Sequence, residues 1–470
     1  MSSTHNAALA GFTSKSSGSE ENTNIRWFVC ALLFLATTIN YMDRNVFGYV
    51  EPLLHDVPFM GWNHAADQFH QPVFDNNFGN VIMFFQIAYG IGFVLAGRVI
   101  DKLGTKLGYT LAILIWGLSS MSHSLVTSVA GFCVARIFLG LGESGNFPAA
   151  IKAISEWFPT KERAKAVGYF NSGSNASALI APPLVAYVTA RWGWQAAFLT
   201  TGSMGMAWLI LWTAFPYNRL RRSSSQTQAN LEADFADART HGGTIPFFTL
   251  LRRPGMYAFA VGKGLTDGVW WFYLFYLPQF LNRNYGLSLK DAYPYMLTVY
   301  MISSVGSIFG GSLSGSLMAR GRSVNSARKL TMLTMALCVM PVIFVPHMSQ
   351  IFAANAWPAT LLIALAAAAH QGWSANLFAT PGDMFPSTAV STVVGFGGAC
   401  GALGGACFTW IVKKNLSLHQ LLVFSMAAGA YIVALAIIQL LVPRLGATHP
   451  TNPPTDPGNG IADKPLFKPA

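Results

Sequence analysis

Charged residues are scarce in this chain of 470 residues: Asp, Glu, Lys and Arg make up only 10% of it, whereas 52% is hydrophobic. A soluble globular protein carries about 25% charged residues, so the composition excludes that class. The mean hydropathy of +0.40 agrees and indicates that a lipid bilayer surrounds most of the fold.

Cysteines are few, and catalytic motifs are lacking. The cysteines fall inside predicted apolar helices with neither disulfide nor metal-ligand spacing, so we expect packing residues and predict no metal and no cofactor. They are Cys30, Cys133, Cys338, Cys400 and Cys407. Neither H-E-x-x-H nor G-x-S-x-G occurs and no soluble output domain is evident, which disfavours an intramembrane enzyme or a receptor.

Long apolar stretches are abundant instead. About twelve are close to the 20 residues that cross a bilayer core, with short polar connections between them. They run near 26–50, 78–100, 107–126, 130–155, 164–190, 194–216, 256–280, 292–318, 329–347, 357–380, 388–412 and 419–442. We therefore predict an all-α membrane protein of twelve transmembrane helices.

The longest polar interruption divides these spans into two groups of six. We predict a six-helix domain over 26–216, a cytoplasmic linker over 217–255 and a second six-helix domain over 256–442, a symmetry typical of transporters. Within the linker, NLEADFADARTHGG (230–243) fits either a short amphipathic helix or a solvated segment. The polar ends, 1–25 and 443–470, are expected to be disordered cytoplasmic tails without a signal peptide.

Basic residues concentrate in alternate loops, which gives the net charge of +11 a topological meaning. The loops on one side carry Arg98, Lys102, Lys106, Lys161, Arg163, Lys165, Arg219, Arg221, Arg222, Arg252, Arg253, Arg320, Arg322, Arg328 and Lys329. The other side holds only Arg191, Arg283, Lys290, Lys413 and Lys414. This asymmetry places both termini in the cytoplasm and explains the charge without a nucleic-acid partner. We expect a multi-pass monomer in a bacterial inner membrane.

A conformational gate is predicted after the second span, where Gly97, Asp101, Lys102 and Gly104 form G-x-x-x-D-[RK]-x-G. Glycine permits a tight turn and close helix approach. The Asp101 carboxylate can pair with cations or helix termini and hold one conformation. A basic loop that only sets topology would explain the lysines but not the Gly and Asp spacing.

Few ionisable residues lie inside the spans, where a charge costs about 2.5–3.5 kcal/mol on insertion scales and therefore needs a partner, water or a task. They are Asp43, Arg44, Arg136, Glu143, Lys152, Lys263, Asp267 and His370. Their depths allow Asp43 to pair with Arg136, and Lys263 can pair with Asp267 at i, i+4.

Glu143 lies near the predicted midplane, where desolvation disfavours its charged form, so we predict that it carries the proton. The alternative is a permanent ion pair with Arg136 or Arg44. The planar guanidinium of Arg44 suits a carboxylate ligand, although Arg44 could instead serve the neighbourhood of Asp43. Tyr41 and Tyr89 add hydroxyl groups to this half-site, unless they are interface anchors.

The second group of spans supplies aromatic and amide groups. Trp270, Trp373, Gln371 and Asn376 suit a hydroxylated sugar ring, and Lys263 adds a cation. Aromatic packing and close helix contact are the alternative.

The chain resembles the hexuronate transporters in the anion:cation symporter branch of the Major Facilitator Superfamily. The resemblance covers all twelve spans. Its most specific stretches are TTINYMDRNVFGY (37–49), RIFLGLGESGNFPAAIKAISEWFPTKERA (136–164), GKGLTDGVWWFYLFYLPQFLNRNYGLS (262–288) and AAAAHQGWSANLF (366–378). It implies uptake of glucuronate or galacturonate with protons, by rocking of two domains about a central site.

The resemblance also implies roles for individual residues. It assigns proton coupling to Asp43 and Glu143, with Arg136 as their cation. It places Arg44, Tyr41 and Tyr89 on the carboxylate side of the sugar acid, and Trp373 against its ring. Gly401 and Ser174 depart from the Asn and Gln of aldonate symporters, which favours hexuronates. Another organic anion, such as an aldarate, aldonate or aromatic carboxylate, is the alternative substrate.

Overall fold

The computed structural model describes residues 3–54, 57–60, 71–223, 245–415 and 420–445, and this part of the chain is helical without any strand. In chain order the helices are α1 (Ser3–Tyr49), α2 (Glu51–Leu54), α3 (Gln71–Leu103), α4 (Thr105–Ser122), α5 (Val129–Glu143), α6 (Asn146–Trp157), α7 (Thr160–Trp192), α8 (Trp194–Ala214), α9 (Tyr217–Ser223), α10 (Phe247–Leu250), α11 (Pro254–Tyr285), α12 (Leu289–Ala319), α13 (Val324–Val339), α14 (Val345–Ile351), α15 (Trp357–Met384), α16 (Ser387–Asn415) and α17 (Gln420–Leu441). Short 3₁₀ turns occur at Pro58–Met60, His123–Leu125 and Met340–Phe344.

Seven helices of the described residues are long and apolar enough to cross a membrane. They are Asn24–Tyr49, Asn76–Leu103, Trp194–Ala214, Asp291–Ala319, Val324–Met348, Ser387–Val412 and Gln420–Leu441. The other predicted spans coincide with α4, the pair α5 and α6, α7, α11 and α15. Several of these helices carry the ionisable and amide residues singled out above, and polar groups lower the hydropathy of a span. The twelve-span count stays a prediction.

The predictions for the two ends of the chain and for the linker either differ from the structure or concern residues outside the described part. Helix α1 begins at Ser3 and so runs through the 1–25 segment that we predicted to be disordered. A helix extends readily from an existing one, because each added residue gains a hydrogen bond without new nucleation. The amphipathic segment 230–243 and most of the C-terminal tail lie outside the described residues.

The predicted span 130–155 is two helices, because α5 ends at Glu143 and α6 begins at Asn146. Gly142 and Gly145 flank this break. A Cβ atom at Gly142 would lie 2.5 Å from the Trp116 amide nitrogen, and one at Gly145 would lie 2.7 Å from the Cβ of Ala112. The glycines therefore let the broken segment press against α4, and the break leaves Glu143 at a helix terminus inside the protein.

Helices α1–α8 and α11–α17 form two halves that meet along two helix pairs, α3 with α16 and α7 with α12. Small residues bring the backbones together, as in membrane helix packing generally. A Cβ at Gly97 would overlap the Ser391 carbonyl, and one at Gly311 would overlap the carbonyl of Ala164. These contacts close one end of the interface, called here the Asp101 end, and leave a cavity beyond it.

Candidate substrate cavity

A polar cavity lies between the two halves, with about 630 Å³ of space between atoms, including the part open to solvent. Its wall consists of Tyr41, Arg44, Tyr89, Phe93, Phe147, Asn171, Ser174, Lys263, Asp267, Trp270, Trp271, His370, Gln371, Ser374, Phe378, Gly398 and Ala402. A space with aromatic walls and a few convergent polar groups is typical of a small-molecule site.

Arg44 of α1 is the cation of the first half that reaches this wall. Its guanidinium lies 4.2 Å from the ring centre of Tyr89 and 4.8 Å from that of Tyr41. Arg44 Nε donates to Glu143 Oε2 at 2.9 Å. The Nη2 group is buried and has no hydrogen-bond partner among the described residues. The predicted carboxylate half-site of Arg44, Tyr41 and Tyr89 is therefore assembled, with one donor group still available.

Glu143 lies behind Arg44, fully buried and off the cavity wall. Its second oxygen, Oε1, is buried without a hydrogen-bond partner among the described residues. The carboxylate thus holds Arg44 with one oxygen and has an unused acceptor. In this conformation Glu143 therefore forms the ion pair with Arg44 that was the alternative to its role as proton carrier. The same contact joins the residue predicted to carry the proton to the residue predicted to bind the substrate carboxylate.

The predicted pairing of Asp43 with Arg136 is wrong in this conformation. Asp43 Oδ1 accepts from Ser120 Oγ at 2.7 Å, and Oδ2 is buried without a partner among the described residues. The Arg136 guanidinium lies 4.3 Å from the ring centre of Phe47 and donates to the Arg44 carbonyl at 3.4 Å. Two residues at the same depth need not be in contact. Asp43 accepts a hydrogen bond from a hydroxyl on α4, and Arg136 packs on an aromatic ring of α1.

The second half contributes a compensated charge pair. Lys263 Nζ lies 2.8 Å from Asp267 Oδ2, which confirms the predicted i, i+4 pair within α11. Both side chains line the cavity, and the Lys263 ammonium lies 4.1 Å from the ring centre of Phe378. Each half therefore presents a cation that already has a carboxylate partner.

Trp270 and His370 form a stacked wall in the second half. Their ring centres are 5.2 Å apart with an interplanar angle of 7°. His370 Nδ1 is 2.7 Å from the hydroxyl of Tyr431, which is buried behind the wall on α17. Trp270 and Gln371 reach the cavity as predicted, and His370 joins them.

Trp373 and Asn376 do not reach the cavity, contrary to the prediction. Trp373 is fully buried with its edge against Tyr431, at a centroid distance of 5.4 Å. Asn376 Nδ2 donates to the carbonyls of Gly310 and Gly372 at 2.8 and 2.9 Å. The helical period explains this: Gln371, Ser374 and Phe378 share one face of α15, whereas positions 373 and 376 point elsewhere.

Polar residues of α7 that we did not predict to bind the substrate complete the cavity. Asn171 Nδ2 donates to Ser374 Oγ at 3.1 Å, which links the two halves at the wall. Ser174, one helical turn later, also lines the cavity. The polar run NSGSNAS (171–177) inside an otherwise apolar span is the signal that identifies this face.

The predicted gate residue Asp101 joins the two halves at the closed end. Its Oδ1 accepts from Lys152 Nζ at 2.8 Å and from the Ser391 amide at 3.3 Å. Its Oδ2 accepts from the amide and hydroxyl of Thr392 at 2.7 and 2.6 Å. Asp101 therefore binds a lysine of its own half and the first turns of α16 in the other.

The other predicted gate positions have different parts. Gly97 permits the close approach to Ser391, and Gly104 has φ +80°, a conformation that favours glycine at the turn into α4. Lys102 is exposed and lies beside this turn.

A second charged contact at the same end was not predicted. The Asp383 carboxylate lies 3.3 Å from Arg163 Nη1 and 2.9 Å from Arg328 Nε. Arg328 is fully buried and also donates to the Thr160 carbonyl at 2.8 Å. These contacts tie the beginning of α7 to α13 and α15. Arg328 looked from sequence like an ordinary basic loop residue.

Comparison with known proteins agrees with this architecture. The family model described as Major Facilitator Superfamily matches residues 33–409. The hexuronate transporter of Escherichia coli (strain K12) is 29% identical over 394 residues, covering 83% of this chain and 87% of that protein. The galacturonate transporter of Dickeya chrysanthemi is 30% identical over 291 residues, covering 61% of this chain and 81% of that protein.

A solved structure shows the same fold. The proton:xylose symporter bound to 6-bromo-6-deoxy-D-glucose superposes with a TM-score of 0.73 at 15% identity, covering 90% of this chain and 97% of that one.

Proposed function

Because the chain belongs to the Major Facilitator Superfamily, we propose that it imports a hexuronate, galacturonate or glucuronate, together with protons by alternating access. It is a multi-pass transporter of the inner membrane rather than an enzyme. Its relatives include proteins named as hexuronate and galacturonate transporters. The cavity supplies what such a substrate needs, namely a guanidinium for one carboxylate and aromatic, amide and hydroxyl groups for a ring.

The Arg44–Glu143 ion pair is the observation that carries the proposal. A substrate carboxylate and Glu143 share the single positive charge of the Arg44 guanidinium, because Nε already donates to Glu143 Oε2 at 2.9 Å and Nη2 is left without a partner among the described residues. Protonation of Glu143 removes its charge and weakens this hold, so the proton and the sugar acid favour each other's binding. Deprotonation on the other side of the membrane returns Glu143 to Arg44 and displaces the substrate.

Asp43 and Arg136 serve the same cycle from behind the cavity. The Arg136 guanidinium touches the backbone of Arg44, and Asp43 precedes Arg44 on α1. A change in the charge of Glu143 therefore acts on Arg44 through a direct contact. We assign Asp43 as a second proton-binding group and Arg136 as a member of the same proton-coupling group that contacts the Arg44 backbone rather than either carboxylate.

The conformation supports an assignment to the outward-facing stage of transport. The positive-inside pattern makes the Asp101 end cytoplasmic, and this end is closed by the contacts of Asp101, Arg163 and Arg328. We propose that the two halves are rocking domains. Release of these contacts would open the cavity to the cytoplasm.

Uptake of labelled D-galacturonate into proteoliposomes with an imposed pH gradient tests the proposal. We expect Arg44→Ala to abolish transport because the carboxylate loses its guanidinium. We expect Glu143→Gln to lose accumulation driven by the pH gradient but to keep exchange of internal for external galacturonate. Gradient-driven accumulation by Glu143→Gln would contradict the proton-carrier role.

A panel of unlabelled acids tests the substrate class in the same assay. Hexuronates should compete best with labelled galacturonate, ahead of aldonates, aldarates and aromatic acids. If wild-type protein takes up none of the hexuronates, the proposed substrate is wrong.

A further inference from the structure

Asp267 brings a negative charge to the wall of a cavity that we assign to an anion. Its side chain keeps 17% of its exposure, whereas that of its partner Lys263 keeps 9%. The Lys263 ammonium is further covered by the face of Phe378, 4.1 Å from the ring centre. The ion pair is therefore neutral as a whole, but its carboxylate end is the more open to the cavity.

Helix α16 makes room for this carboxylate. A Cβ atom at Gly401 would overlap Asp267 Oδ2 and would lie 3.5 Å from Lys263 Cε. Gly398 and Ala402 of the same helix line the cavity. The missing side chain at Gly401 thus lets the Lys263–Asp267 pair sit against the α16 backbone at the edge of the cavity.

The two halves present their charges differently. In the first half Arg44 is on the wall and its partner Glu143 is hidden behind it, so a cation faces the substrate. In the second half both partners are on the wall and the carboxylate is the more exposed. A ligand that contacts both halves therefore meets the Arg44 cation on one side and the Asp267 carboxylate, a negatively charged hydrogen-bond acceptor, on the other.

We propose that Asp267 makes the cavity selective for sugar acids with one carboxylate over those with a carboxylate at both ends. The proposal rests on the proposed function and specifies its substrate class. When the single carboxylate binds Arg44, hydroxyl groups that face the second half donate to Asp267 in charge-assisted hydrogen bonds. A second carboxylate that faces Asp267 meets a like charge, and like-charge contacts are one means of rejecting a wrong ligand.

Asp267→Asn tests this assignment because it keeps the shape of the side chain and leaves the Lys263 charge uncompensated. The probes are unlabelled D-galacturonate and the dicarboxylate D-galactarate, each competing with labelled D-galacturonate uptake in proteoliposomes. Wild type should prefer galacturonate, and the variant should shift the ratio of the two inhibition constants toward galactarate by about tenfold. Thermal stabilisation of the purified protein by each acid gives the same ratio if the variant no longer transports.

The double variant Lys263→Met with Asp267→Asn is the matched control. It removes the freed Lys263 charge as well, so the lost preference for galacturonate should persist because the Asp267 carboxylate is still missing, whereas a return to the wild-type ratio would show that the uncompensated Lys263 ammonium, and not the lost carboxylate, caused the shift and would overturn the inference. Equal ratios in wild type and Asp267→Asn would overturn this inference and leave hexuronate transport standing. A wild-type preference for galactarate would overturn both.

Discussion

Tyr431 lies outside the cavity but is hydrogen-bonded to His370, which lines it, and so affects the hydrogen-bonding group that His370 presents. The Tyr431 hydroxyl is 2.7 Å from His370 Nδ1, and the imidazole is stacked on Trp270. With the hydroxyl as donor, Nδ1 is the acceptor and Nε2 carries the proton. His370 then presents a donor of fixed orientation to the substrate.

Tyr431→Phe should therefore weaken substrate binding without contact between residue 431 and the substrate. Loss of one buried hydrogen bond costs about 1 kcal/mol, so we expect the KM for galacturonate to rise about fivefold with little change in the maximal rate. Uptake kinetics in proteoliposomes measure both quantities.

Tyr273→Phe is the matched control, because the Tyr273 hydroxyl is buried without a hydrogen-bond partner among the described residues. Its removal should leave the KM unchanged. An equal rise in both variants would show that the aromatic core, and not the orientation of His370, responds to the change.

At the level of helices, the contact of Asp101 with the first turns of α16 is a direct link between the halves. The carboxylate accepts the amides of Ser391 and Thr392 while it holds Lys152. Hydrogen bonds to a charged group contribute about 1.5–3 kcal/mol each. Asp101→Asn should therefore shift the population toward conformations open at this end.

Thiol labelling measures that shift. A cysteine at Ser307, which is buried in the contact of α12 with Gly168, should react about tenfold faster in Asp101→Asn, in a background without the native cysteines and with reagent on the cytoplasmic side. Lys102→Gln is the control, since Lys102 is exposed next to Asp101 in the last turn of α3. Unchanged labelling in Asp101→Asn would show that the carboxylate does not hold this end closed.

The helices also show how far the sequence predicts the site. Periodicity and i, i+4 spacing sufficed for Lys263–Asp267 within one helix and for Gln371 on the cavity face. Contacts between helices were harder to predict, because the depth of a residue along its helix does not determine how the helix is rotated about its axis. For this reason Asp43 contacts Ser120 and not Arg136. Trp373, which we predict to contact the substrate, instead packs against Tyr431 of α17.

The helix break after Glu143 could not be predicted from the sequence, for a related reason. Gly142 and Gly145 permit a tight approach, but whether α4 is close enough to use it depends on packing that a single sequence does not contain. The Arg163–Asp383–Arg328 contact depends in the same way on a particular conformation. The ionisable residues inside the helices could thus be identified from the sequence, whereas the residues that contact them mostly could not.

At the level of the whole molecule, two halves enclose a cavity in which both lining cations, Arg44 and Lys263, are paired with carboxylates. Arg44 is held by Glu143 in one half, and Lys263 by Asp267 in the other. These pairs leave the cavity with little net charge, which lowers the cost of keeping it inside a membrane. We therefore expect binding of the sugar acid to require neutralisation of Glu143 by a proton.

Proton movement that accompanies entry of the substrate shows whether sugar-acid binding and protonation of Glu143 are coupled. Wild-type proteoliposomes containing a pH-sensitive dye, with equal pH on both sides, should acidify inside when D-galacturonate is added outside, and Glu143→Gln liposomes should not. Protein-free liposomes give the background. Entry of labelled galacturonate into wild-type liposomes without acidification would contradict proton-coupled transport.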